Sequence, residues 1–482
     1  MNSNSSTYAL KIHRVKQLVP TRKPYRKRNP LRMFRYPVFI LTASLWLALN
    51  CAAQYPIVQT IFTADPAPLV HDGMLYLYTG HDEDDAPDSR FVMHEYQCFT
   101  TTDMVNWTHH GVVLDVRKAF EWSGGDANAA QCIHRNGKFY YYVSTTDKTH
   151  PGVALGVAIS DSPFGPFKDA LGHALVTNDQ TKYARHGWDD LDPTVFIDND
   201  GRAFLYWGNN ACYFAELDED MISLKGDISH IPLTKEAFGP DFEEAPWLCH
   251  RGDQYYLWYA SSIPESIHYA VAKNPFGPWQ YGGEVMDIQE TSGSNHPGII
   301  DYKGRSYLFY QTDSLPNGLD KRRSVCVEEF KYNPDGSIPR ISRSAEGVKP
   351  AGTLNPRLRT EAETMAWSQG IETEKNDTVG IYVTDIDNAD YIKVREVDFG
   401  NGGAGQFWAH VACGSEGGRI DLRLGSPYGR LLGRIQVKNT GGWQNWETLS
   451  CRISNVTGIH DLYLVFSGGN GELFHFDWWK FE

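Results

Sequence analysis

The stretch Leu191-Asp192-Pro193-Thr194-Val195-Phe196-Ile197-Asp198-Asn199-Asp200-Gly201-Arg202-Ala203-Phe204-Leu205-Tyr206-Trp207-Gly208 carries a pattern that recurs along the chain. It consists of an acid, a short apolar strand, a turn that ends in glycine, and an aromatic strand. Four further copies contain the sequences Gly73-Met74-Leu75-Tyr76, Gly137-Lys138-Phe139-Tyr140, Gly252-Asp253-Gln254-Tyr255 and Gly304-Arg305-Ser306-Tyr307. The five glycines lie 64, 64, 51 and 52 residues apart, a period typical of β-propeller blades of four short strands. The pattern therefore predicts an all-β chain that begins with a five-bladed propeller.

A polar residue stands eight or nine positions before each of these glycines. The five residues are Asp65, Asn128, Asp192, Glu244 and His296. Equivalent positions on the innermost strands of a propeller converge at one end of its central channel, so three carboxylates and a histidine are expected to meet there. The alternative is that each acid only caps a turn, as Asp and Asn often do. The shared repeat phase favours the common site.

The first 53 residues have the composition of an export signal. Residues 1–35 contain ten Lys or Arg and no acid, and thirteen uncharged residues, 38–50, precede Cys51-Ala52-Ala53. Thirteen such residues are too few to span a bilayer, but they suit a signal-peptide hydrophobic region with small residues at its cleavage site. Met33 is an alternative start, and a basic nucleic-acid-binding arm is the competing interpretation. We expect export to the periplasm or the outside of the cell.

The remaining chain is strongly acidic. Removal of residues 1–53 takes away ten positive charges and no negative ones, so the formal charge of the chain changes from −14 to −24. Such a surface repels nucleic-acid phosphates and suits a neutral partner. Eight cysteines without a C-x-x-C pair indicate neither a zinc site nor a dense disulfide framework.

Composition divides the chain into three parts after the signal. Residues 54–345 contain short aromatic strands separated by Gly, Pro and Asp turns, with no long 3.6-residue periodicity. Residues 346–360, with two prolines and two glycines, suit a linker. Residues 361–482 contain alternating strands and have a length that suits a β-sandwich.

Four motifs, in the same order, resemble those of glycoside hydrolase family 43. They are Phe62-Thr63-Ala64-Asp65-Pro66, Asp192-Pro193-Thr194-Val195-Phe196-Ile197-Asp198, Phe242-Glu243-Glu244-Ala245-Pro246-Trp247 and Asn295-His296-Pro297-Gly298. The resemblance covers roughly residues 55–345, and is greatest to arabinoxylan arabinofuranohydrolases and xylosidases, which are five-bladed propellers. It implies a hydrolase of hemicellulose polysaccharides or oligosaccharides.

The resemblance assigns a role to each of three acids. It implies that Asp65 is the general base, that Glu244 is the proton donor, and that Asp192 orients the donor and raises its pKa. Glu243, next to Glu244, is the second candidate for the donor. Glycoside cleavage needs one protonated carboxyl and one ionised carboxylate, which agrees with this division. A nearby negative charge raises the pKa of the donor and keeps it protonated.

The resemblance also assigns candidate contacts in the propeller. It implies that His296 lies in the channel near the sugar and near a calcium ion or its water shell, and that Arg323 lies near the sugar and the acids. Alternatively, His296 is structural and Arg323 is a solvated surface residue. Trp122 and Trp188 occupy loops where an aromatic ring would stack on a sugar, with core packing as the alternative.

The C-terminal part resembles a family 6 carbohydrate-binding module, which is a jelly roll. The resemblance rests on Glu361-Ala362-Glu363, Gly441-Gly442-Trp443-Gln444-Asn445-Trp446 and Phe474-His475-Phe476-Asp477-Trp478-Trp479. It implies that Tyr391 and Trp443 sandwich a sugar ring. It also implies that a structural calcium ion binds Glu361, Glu363 and Asp477, whose oxygens suit this metal. One residue departs from the family, because Glu472 stands where relatives have Asn.

The function expected from the sequence is that of an inverting glycosidase. It would remove α-L-arabinofuranosyl or β-xylosyl groups from xylan-type polysaccharide without a cofactor for catalysis. Asp65 and Glu244, on blades one and four, would face each other across the channel at about 6.5–9.5 Å, which leaves room for a water molecule. The alternative is a propeller lectin without catalytic activity. The presence of all three acids favours the enzyme.

Overall fold

The computed structural model describes residues 56–87, 89–183, 186–289 and 291–482. The export signal expected over residues 1–53 lies outside this part of the chain. Within it, none of the helices is both long and apolar enough to cross a bilayer.

Five antiparallel sheets follow one another in the first part of the chain. The first blade contains β1 (Ala64–His71), β2 (Met74–Gly80), β3 (Glu95–Thr101) and β4 (Trp107–Asp115). The second contains β5 (Ser123–Arg135), β6 (Lys138–Asp147), β7 (Val153–Ser160) and β8 (Lys168–Asp169). The third contains β9 (Thr194–Ile197), β10 (Ala203–Trp207), β11 (Cys212–Leu217) and β12 (Leu224–Ile231).

The last two blades follow the same order. The fourth contains β13 (Glu244–Arg251), β14 (Gln254–Ser261), β15 (Ser266–Ala272) and β16 (Gln280–Met286), and the fifth contains β17 (Gly298–Tyr302), β18 (Arg305–Thr312) and β19 (Ser324–Phe330). Short helices α1 (Val116–Ala119) and α2 (Lys235–Phe238) and a 3-10 turn (Asn178–Gln180) lie between strands. The five-bladed propeller predicted from the repeat is confirmed.

The aromatic second strand of each copy lies in the middle of its blade. Strand β10 is buried at all five positions, Ala203–Trp207, because neighbouring blades cover both of its faces. A strand covered on both faces has apolar residues at successive positions, which is the pattern seen after each repeat glycine.

The ring closes between the first and last blades. The first strands β1, β5, β9, β13 and β17 contact one another in sequence, and β17 contacts β1 again. The fifth blade has three strands instead of the four expected from the repeat. The segment 57–63 lies along its free edge, where the Ile57 N–H donates to the Val325 carbonyl (3.0 Å) and the Thr63 N–H donates to the Arg323 carbonyl (2.9 Å). These bonds join the start of the propeller to its end.

The C-terminal part is a sandwich of two antiparallel sheets. One contains β23 (Glu372–Asn376), β24 (Gly380–Thr384), β31 (His475–Phe481), β26 (Ala404–Cys413) and β29 (Gly442–Val456), with β20 (Thr360–Glu361) paired to β31. The other contains β22 (Trp367–Gln369), β25 (Tyr391–Asp398), β30 (Ile459–Gly468), β27 (Gly418–Leu424) and β28 (Arg430–Val437). Their inner faces enclose a separate apolar core.

The sandwich is joined to the first blade through backbone pairing. Strand β21 (Thr364–Met365) belongs to the C-terminal part, yet it pairs antiparallel with β4 of the propeller. The Asn106 side chain accepts a hydrogen bond from the Arg395 N–H (2.8 Å) and donates to the Arg395 carbonyl (2.9 Å). The two parts therefore share one continuous sheet.

Candidate active site

The acids of the repeat occupy irregular positions at the start of innermost strands. Asp65 and Asp192 have left-handed backbone conformations, with φ of 53° and 59°, and so does Ala245, which follows Glu244, with φ of 58°. The register of β1 shifts between Ala64 and Ala67, and that of β13 between Glu244 and Trp247. A left-handed conformation at a residue other than glycine costs about 1–3 kcal/mol and persists only where its surroundings hold it. Such irregularities redirect side chains next to active sites.

Asp65 lies against the guanidinium of Arg323. Arg323 donates from Nη1 to Asp65 Oδ1 at 2.8 Å, and both side chains are buried. The Asp65 N–H donates to the Gln311 side-chain carbonyl at 2.8 Å. The residue predicted to be the general base is therefore in direct contact with a buried cation.

A second carboxylate, that of Asp82, fixes Arg323. The fully buried Asp82 accepts hydrogen bonds from the backbone N–H, Nε and Nη2 of Arg323 at 2.8, 2.9 and 2.9 Å. Although burial opposes its charge, the Asp65 and Asp82 carboxylates raise the pKa of Arg323. The structure therefore places Arg323 within the site rather than on the solvated surface, and adds Asp82, which sequence reasoning missed.

Asp192 and Glu244 meet on neighbouring blades. The Ala245 N–H donates to Asp192 Oδ2 at 2.9 Å, and the Asn209 amide donates to Glu244 Oε2 at 2.6 Å. Burial raises the pKa of both carboxyls. The pKa of Asp192 is raised further by the carboxylates of Glu244 and Asp65. The pKa of Glu244 is raised further by the carboxylate of Asp65. No cation comparable to Arg323 is bonded to either group among the described residues. One proton is therefore readily held at this pair.

Glu243 has a different environment from Glu244. Its Oε1 accepts a hydrogen bond from the Asn210 amide at 2.8 Å in an exposed position. Because Asn209 and Asn210 are adjacent, each amide binds one of the two neighbouring glutamates. The structure thus presents Glu244 and not Glu243 to the buried carboxyl of Asp192.

A fifth carboxyl, that of Glu265, belongs to the same cluster and was also missed. It lies between β14 and β15, is buried, and accepts a hydrogen bond from the Asn295 N–H. Burial raises its pKa, and the carboxylates of Glu244 and Asp192 raise it further. The Asn295 side-chain carbonyl in turn accepts from the Gln311 N–H at 3.4 Å. Glu265 is thereby linked through Asn295 and Gln311 to the backbone of Asp65.

His296 lies beside Asp65, the residue predicted to be the base, although the two are far apart in sequence. Its Nδ1 is 3.9 Å from Asp65 Oδ1. Burial lowers the pKa of His296 to about 4, with the nearby Arg323 acting in the same direction and Asp65 opposing it. The imidazole is neutral at pH 7, so it contributes hydrogen-bonding groups to the channel without adding positive charge.

The supporting residues share a topological origin. Asp82, Asn209, Glu265 and Arg323 all come from the connections between the second and third strands of their blades. These connections differ in length, so the four residues stand at no common distance from the repeat glycines. A search that allowed polar residues after each second strand would have found them.

The two tryptophans predicted near the sugar have different surroundings. Trp122 is buried, donates from Nε1 to Asp169 Oδ2 at 3.0 Å, and packs on Phe120 with ring centroids 5.4 Å apart. This packing favours the core alternative for Trp122. Trp188 is 57 % exposed, stacks on His186 with centroids 4.6 Å apart, and precedes Asp192 by four residues. Its contact with a sugar stays a prediction.

The two aromatic residues predicted to sandwich a sugar in the C-terminal part lie on different sheets. Tyr391 is opposite Gln369 of β22 and 5.7 Å from the ring of Tyr463, whereas Trp443 of β29 is 4.9 Å from the ring of His475. Burial raises the pKa of the Tyr391 phenol, while its hydrogen bond with the Trp367 indole opposes this shift. The two rings therefore have different neighbours, and their contact with one sugar ring stays a prediction.

Glu472, the departure from the family pattern, is bonded into the sandwich. Its Oε1 accepts hydrogen bonds from the Thr384 hydroxyl at 2.8 Å and the Asp385 N–H at 3.0 Å, and lies 3.1 Å from His475 Nε2. The other nitrogen of His475 is 2.9 Å from the Trp443 carbonyl. Glu472 thus fixes the loops around Trp443.

The predicted calcium ligands of the sandwich lie around a buried position. Glu363 Oε2 and Asp477 Oδ1 are buried without a hydrogen-bond partner among the described residues. Arg359 Nη2 lies 2.7 Å from Glu361 Oε2 and 3.5 Å from Asp477 Oδ1, so it forms ion pairs with both side chains. Burial raises the pKa of Glu363 and raises that of Asp477 to about 7. In the part of the chain that the structure describes, no group of three His, Cys, Asp or Glu side chains has the geometry of a formed metal site. The two orphaned oxygens are nevertheless the kind of ligand that calcium accepts.

Comparisons with known proteins agree on both parts of the chain. The sequence profile of the Glycosyl hydrolases family 43 matches residues 53–338, and that of the Carbohydrate binding module (family 6) matches residues 361–482. An arabinoxylan arabinofuranohydrolase of Paenibacillus polymyxa is 32 % identical over 88 % of this chain and 74 % of its own length.

Two solved structures extend the comparison. A family 43 arabinoxylan arabinofuranohydrolase from Bacillus subtilis, crystallised with cellotetraose, is 29 % identical, covers 89 % of this chain and 97 % of its own, and has a TM-score of 0.75. A β-xylosidase/α-arabinofuranosidase from a compost metagenome, in complex with xylotriose and in a calcium-free form, is 29 % identical, covers 60 % of this chain and 98 % of its own, and has a TM-score of 0.54.

Proposed function

Because this chain belongs to glycosyl hydrolase family 43 and ends in a family 6 carbohydrate-binding module, we propose that it removes α-L-arabinofuranosyl groups from xylan-type polysaccharides with inversion of configuration. The chain is a glycosidase, and the lectin alternative is not supported. β-Xylosyl groups are the second candidate substrate, because the compost relative is named for both activities. The arabinofuranosyl group is favoured because the two relatives described above that cover 88 % and 89 % of this chain are named arabinoxylan arabinofuranohydrolases.

The observation that supports this mechanism is the contrast between two carboxyl environments. Asp65 is paired with the guanidinium of Arg323, whereas burial and the Asp65 carboxylate raise the pKa of Glu244, and no Lys or Arg of the described chain is bonded to Glu244. Hydrolysis of a glycoside uses this difference, since the ionised group activates water and the protonated group assists departure of the leaving oxygen. Asp192, held by the Ala245 N–H, lies next to the donor, and the raised pKa values of both carboxyls keep one proton at this pair.

Inversion is proposed because the two groups lie on separate blades, on opposite sides of the position where the sugar would bind. Water activated by Asp65 attacks the anomeric carbon on one face of the sugar, while Glu244 donates its proton to the glycosidic oxygen on the other. The bond from the anomeric carbon to the leaving oxygen breaks as the bond to water forms. The proton of water passes to Asp65, and the leaving group departs as an alcohol.

Two measurements test the proposal. Aryl α-L-arabinofuranoside, aryl β-xyloside and arabinoxylan are offered separately, and we expect release of arabinose from the first and third. Proton NMR of the first-formed sugar, recorded before mutarotation, should show inverted configuration. Retained configuration would mean that Asp65 is a nucleophile or that the pair is misassigned.

The C-terminal module is proposed to bind a structural calcium ion through Glu361, Glu363 and Asp477. Bound there, calcium would neutralise carboxylates that the fold buries close together, and it would play no part in bond cleavage. A second calcium site near His296 has less support, because Arg323 already supplies positive charge beside Asp65.

Export to the periplasm or the extracellular space is also proposed. It rests on the basic region and the uncharged stretch within residues 1–53 and on a polymeric substrate that lies outside the cell. Secretion of the full chain from a bacterial host, with the N-terminal residue of the secreted protein determined, tests both export and the cleavage site.

A further inference from the structure

A cleft of about 530 Å³ lies between the propeller and the C-terminal module, apart from the channel. Its volume falls within the range of about 300–1,000 Å³ that is usual for ligand sites. One wall consists of propeller residues 59–62 and 314–317 with Asp84, and the other consists of module residues 367–372. Neither part of the chain forms this cleft alone.

The propeller wall is continuous with the groups that hold the base. Phe62 precedes Asp65 by three residues, and Asp84 follows Asp82 by two. The loop that supplies Leu315 to the cleft ends at Arg323, whose guanidinium bonds to both Asp65 and Asp82. The cleft wall and the groups that hold the base therefore belong to the same three segments of the propeller.

The module wall is held in a fixed position. The Ser368 N–H donates to the Gln59 side-chain carbonyl at 3.0 Å, which joins the two walls directly. The pairing of β21 with β4 lies only two residues before Trp367. A site whose walls are bonded to each other is formed before its ligand arrives, which reduces the entropy lost on binding.

The lining has the chemistry of a sugar-binding surface. Trp367 offers an indole ring that is partly exposed, next to Tyr391 on the same sheet face. Around it, Gln59, Gln369, Asn317, Asp84 and Glu372 supply amide and carboxylate groups. Aromatic rings stack on the apolar faces of sugars, and amides and carboxylates bond to hydroxyl groups. With two carboxylates and no Lys or Arg in the lining, the cleft suits a neutral glycan and disfavours an acidic one.

We propose that this cleft binds the main chain of the neutral polysaccharide whose side groups are cleaved in the channel, so that the module completes a substrate site rather than only anchoring the enzyme. This inference rests on the proposed function for the identity of the polymer. It assigns to Trp367 the stacking contact and to Gln369 a hydrogen bond to a main-chain hydroxyl.

Three full-length variants test the cleft. Trp367→Ala removes the ring, and Gln369→Ala removes a single exposed amide and leaves the strand intact. Phe276→Ala is the control, because Phe276 is 48 % exposed and lies outside the cleft. The measured quantity is the ratio of kcat/KM on soluble arabinoxylan to kcat/KM on the aryl glycoside that the enzyme hydrolyses. We expect Trp367→Ala to lower this ratio about tenfold and Gln369→Ala to lower it by a smaller factor, with no change for Phe276→Ala.

A binding measurement separates this inference from the proposed function. Xylohexaose is titrated into full-length Glu244→Gln with and without Trp367→Ala, and we expect the second substitution to weaken binding about tenfold. This result is informative even if no arabinofuranoside or xyloside is hydrolysed. Unchanged binding and an unchanged ratio in both cleft variants would overturn the proposal. A loss seen with Trp443→Ala but not with Trp367→Ala would also overturn it, because the polymer would then bind at the other sheet of the module.

Discussion

The channel of the propeller and the buried carboxylates of the module both concentrate negative charge, but they stabilise it differently. In the channel, Asp65 and Asp82 share the guanidinium of Arg323, and Glu244 accepts from Asn209. In the module, Glu363 Oε2 and Asp477 Oδ1 have no hydrogen-bond partner among the described residues. Protein partners bond to the carboxylates of the first region, whereas in the second region Arg359 contacts Glu361 and Asp477 but leaves two buried oxygens without a hydrogen bond. The first arrangement suits proton transfer and the second suits a bound cation.

The largest effect is expected for the proton donor. Glu244→Gln should lower kcat on arabinoxylan by about 10²- to 10⁴-fold, because an amide cannot donate the proton that the leaving oxygen needs. The loss on an aryl glycoside with a good leaving group should be smaller. Steady-state kinetics on both substrates measures the difference.

Glu243→Gln is the matched control for this prediction. Glu243 is bonded to Asn210 in an exposed position, so its substitution should change both rates little. If Glu243→Gln showed the larger loss on polysaccharide, the donor would be Glu243 and the assignment would be off by one residue.

The second effect concerns stability of the channel. Asp82→Ala should lower the free energy of unfolding by about 3–5 kcal/mol. The reason is that the buried guanidinium of Arg323 loses one of its two carboxylate partners. Asp301→Ala, which breaks an ion pair with Arg251 in which both side chains are at least half exposed, should cost less than about 1 kcal/mol. Denaturant unfolding of the two variants compares them, and equal losses would show that Asp82 does not hold Arg323.

These predictions show which residues of the site the sequence could reveal. Asp65, Asp192, Glu244 and His296 were predicted because they begin innermost strands, and the repeat fixes the distance from each to a turn glycine. Asp82 and Glu265 were not predicted, because they lie in connections whose lengths differ from blade to blade. Their importance comes from contacts with residues far away in sequence, such as the bond between Asp82 and Arg323. Likewise, the alternating pattern predicted the sandwich of the module but not that Tyr391 and Trp443 lie on different sheets.

The third effect is on pH dependence. Glu244 acts in its protonated form, and its raised pKa places the basic limb of the kcat profile above the ordinary glutamate range, with activity lost as the pH rises through that value. Glu243→Gln removes a neighbouring carboxylate that raises the pKa of Glu244, so this pKa should fall and the basic limb should move to lower pH. Asn209→Ala removes a hydrogen bond that favours the carboxylate, so the limb should move to higher pH. Shifts in the same direction would contradict this arrangement.

The smallest effect is expected in the module. Calcium at about 100 times its dissociation constant should stabilise the fold by about 2.7 kcal/mol, seen as a higher melting temperature that a chelator reverses. Glu363→Gln should abolish this response, while Glu447→Gln, on the exposed part of β29, should preserve it. A response that is the same in both variants would place the cation elsewhere.

The two residues of β21 make the propeller and the module depend on each other for their structure. Since Thr364 and Met365 extend the first blade, a chain shortened to residue 345 would expose the edge of β4, and isolated propeller would be less soluble than the whole. Proteolysis between residues 346 and 360 should leave two fragments that stay associated and elute together. Heating should likewise give one cooperative transition for both parts, so that an exchange of this module for an unrelated one would alter the propeller as well as the binding of the polymer.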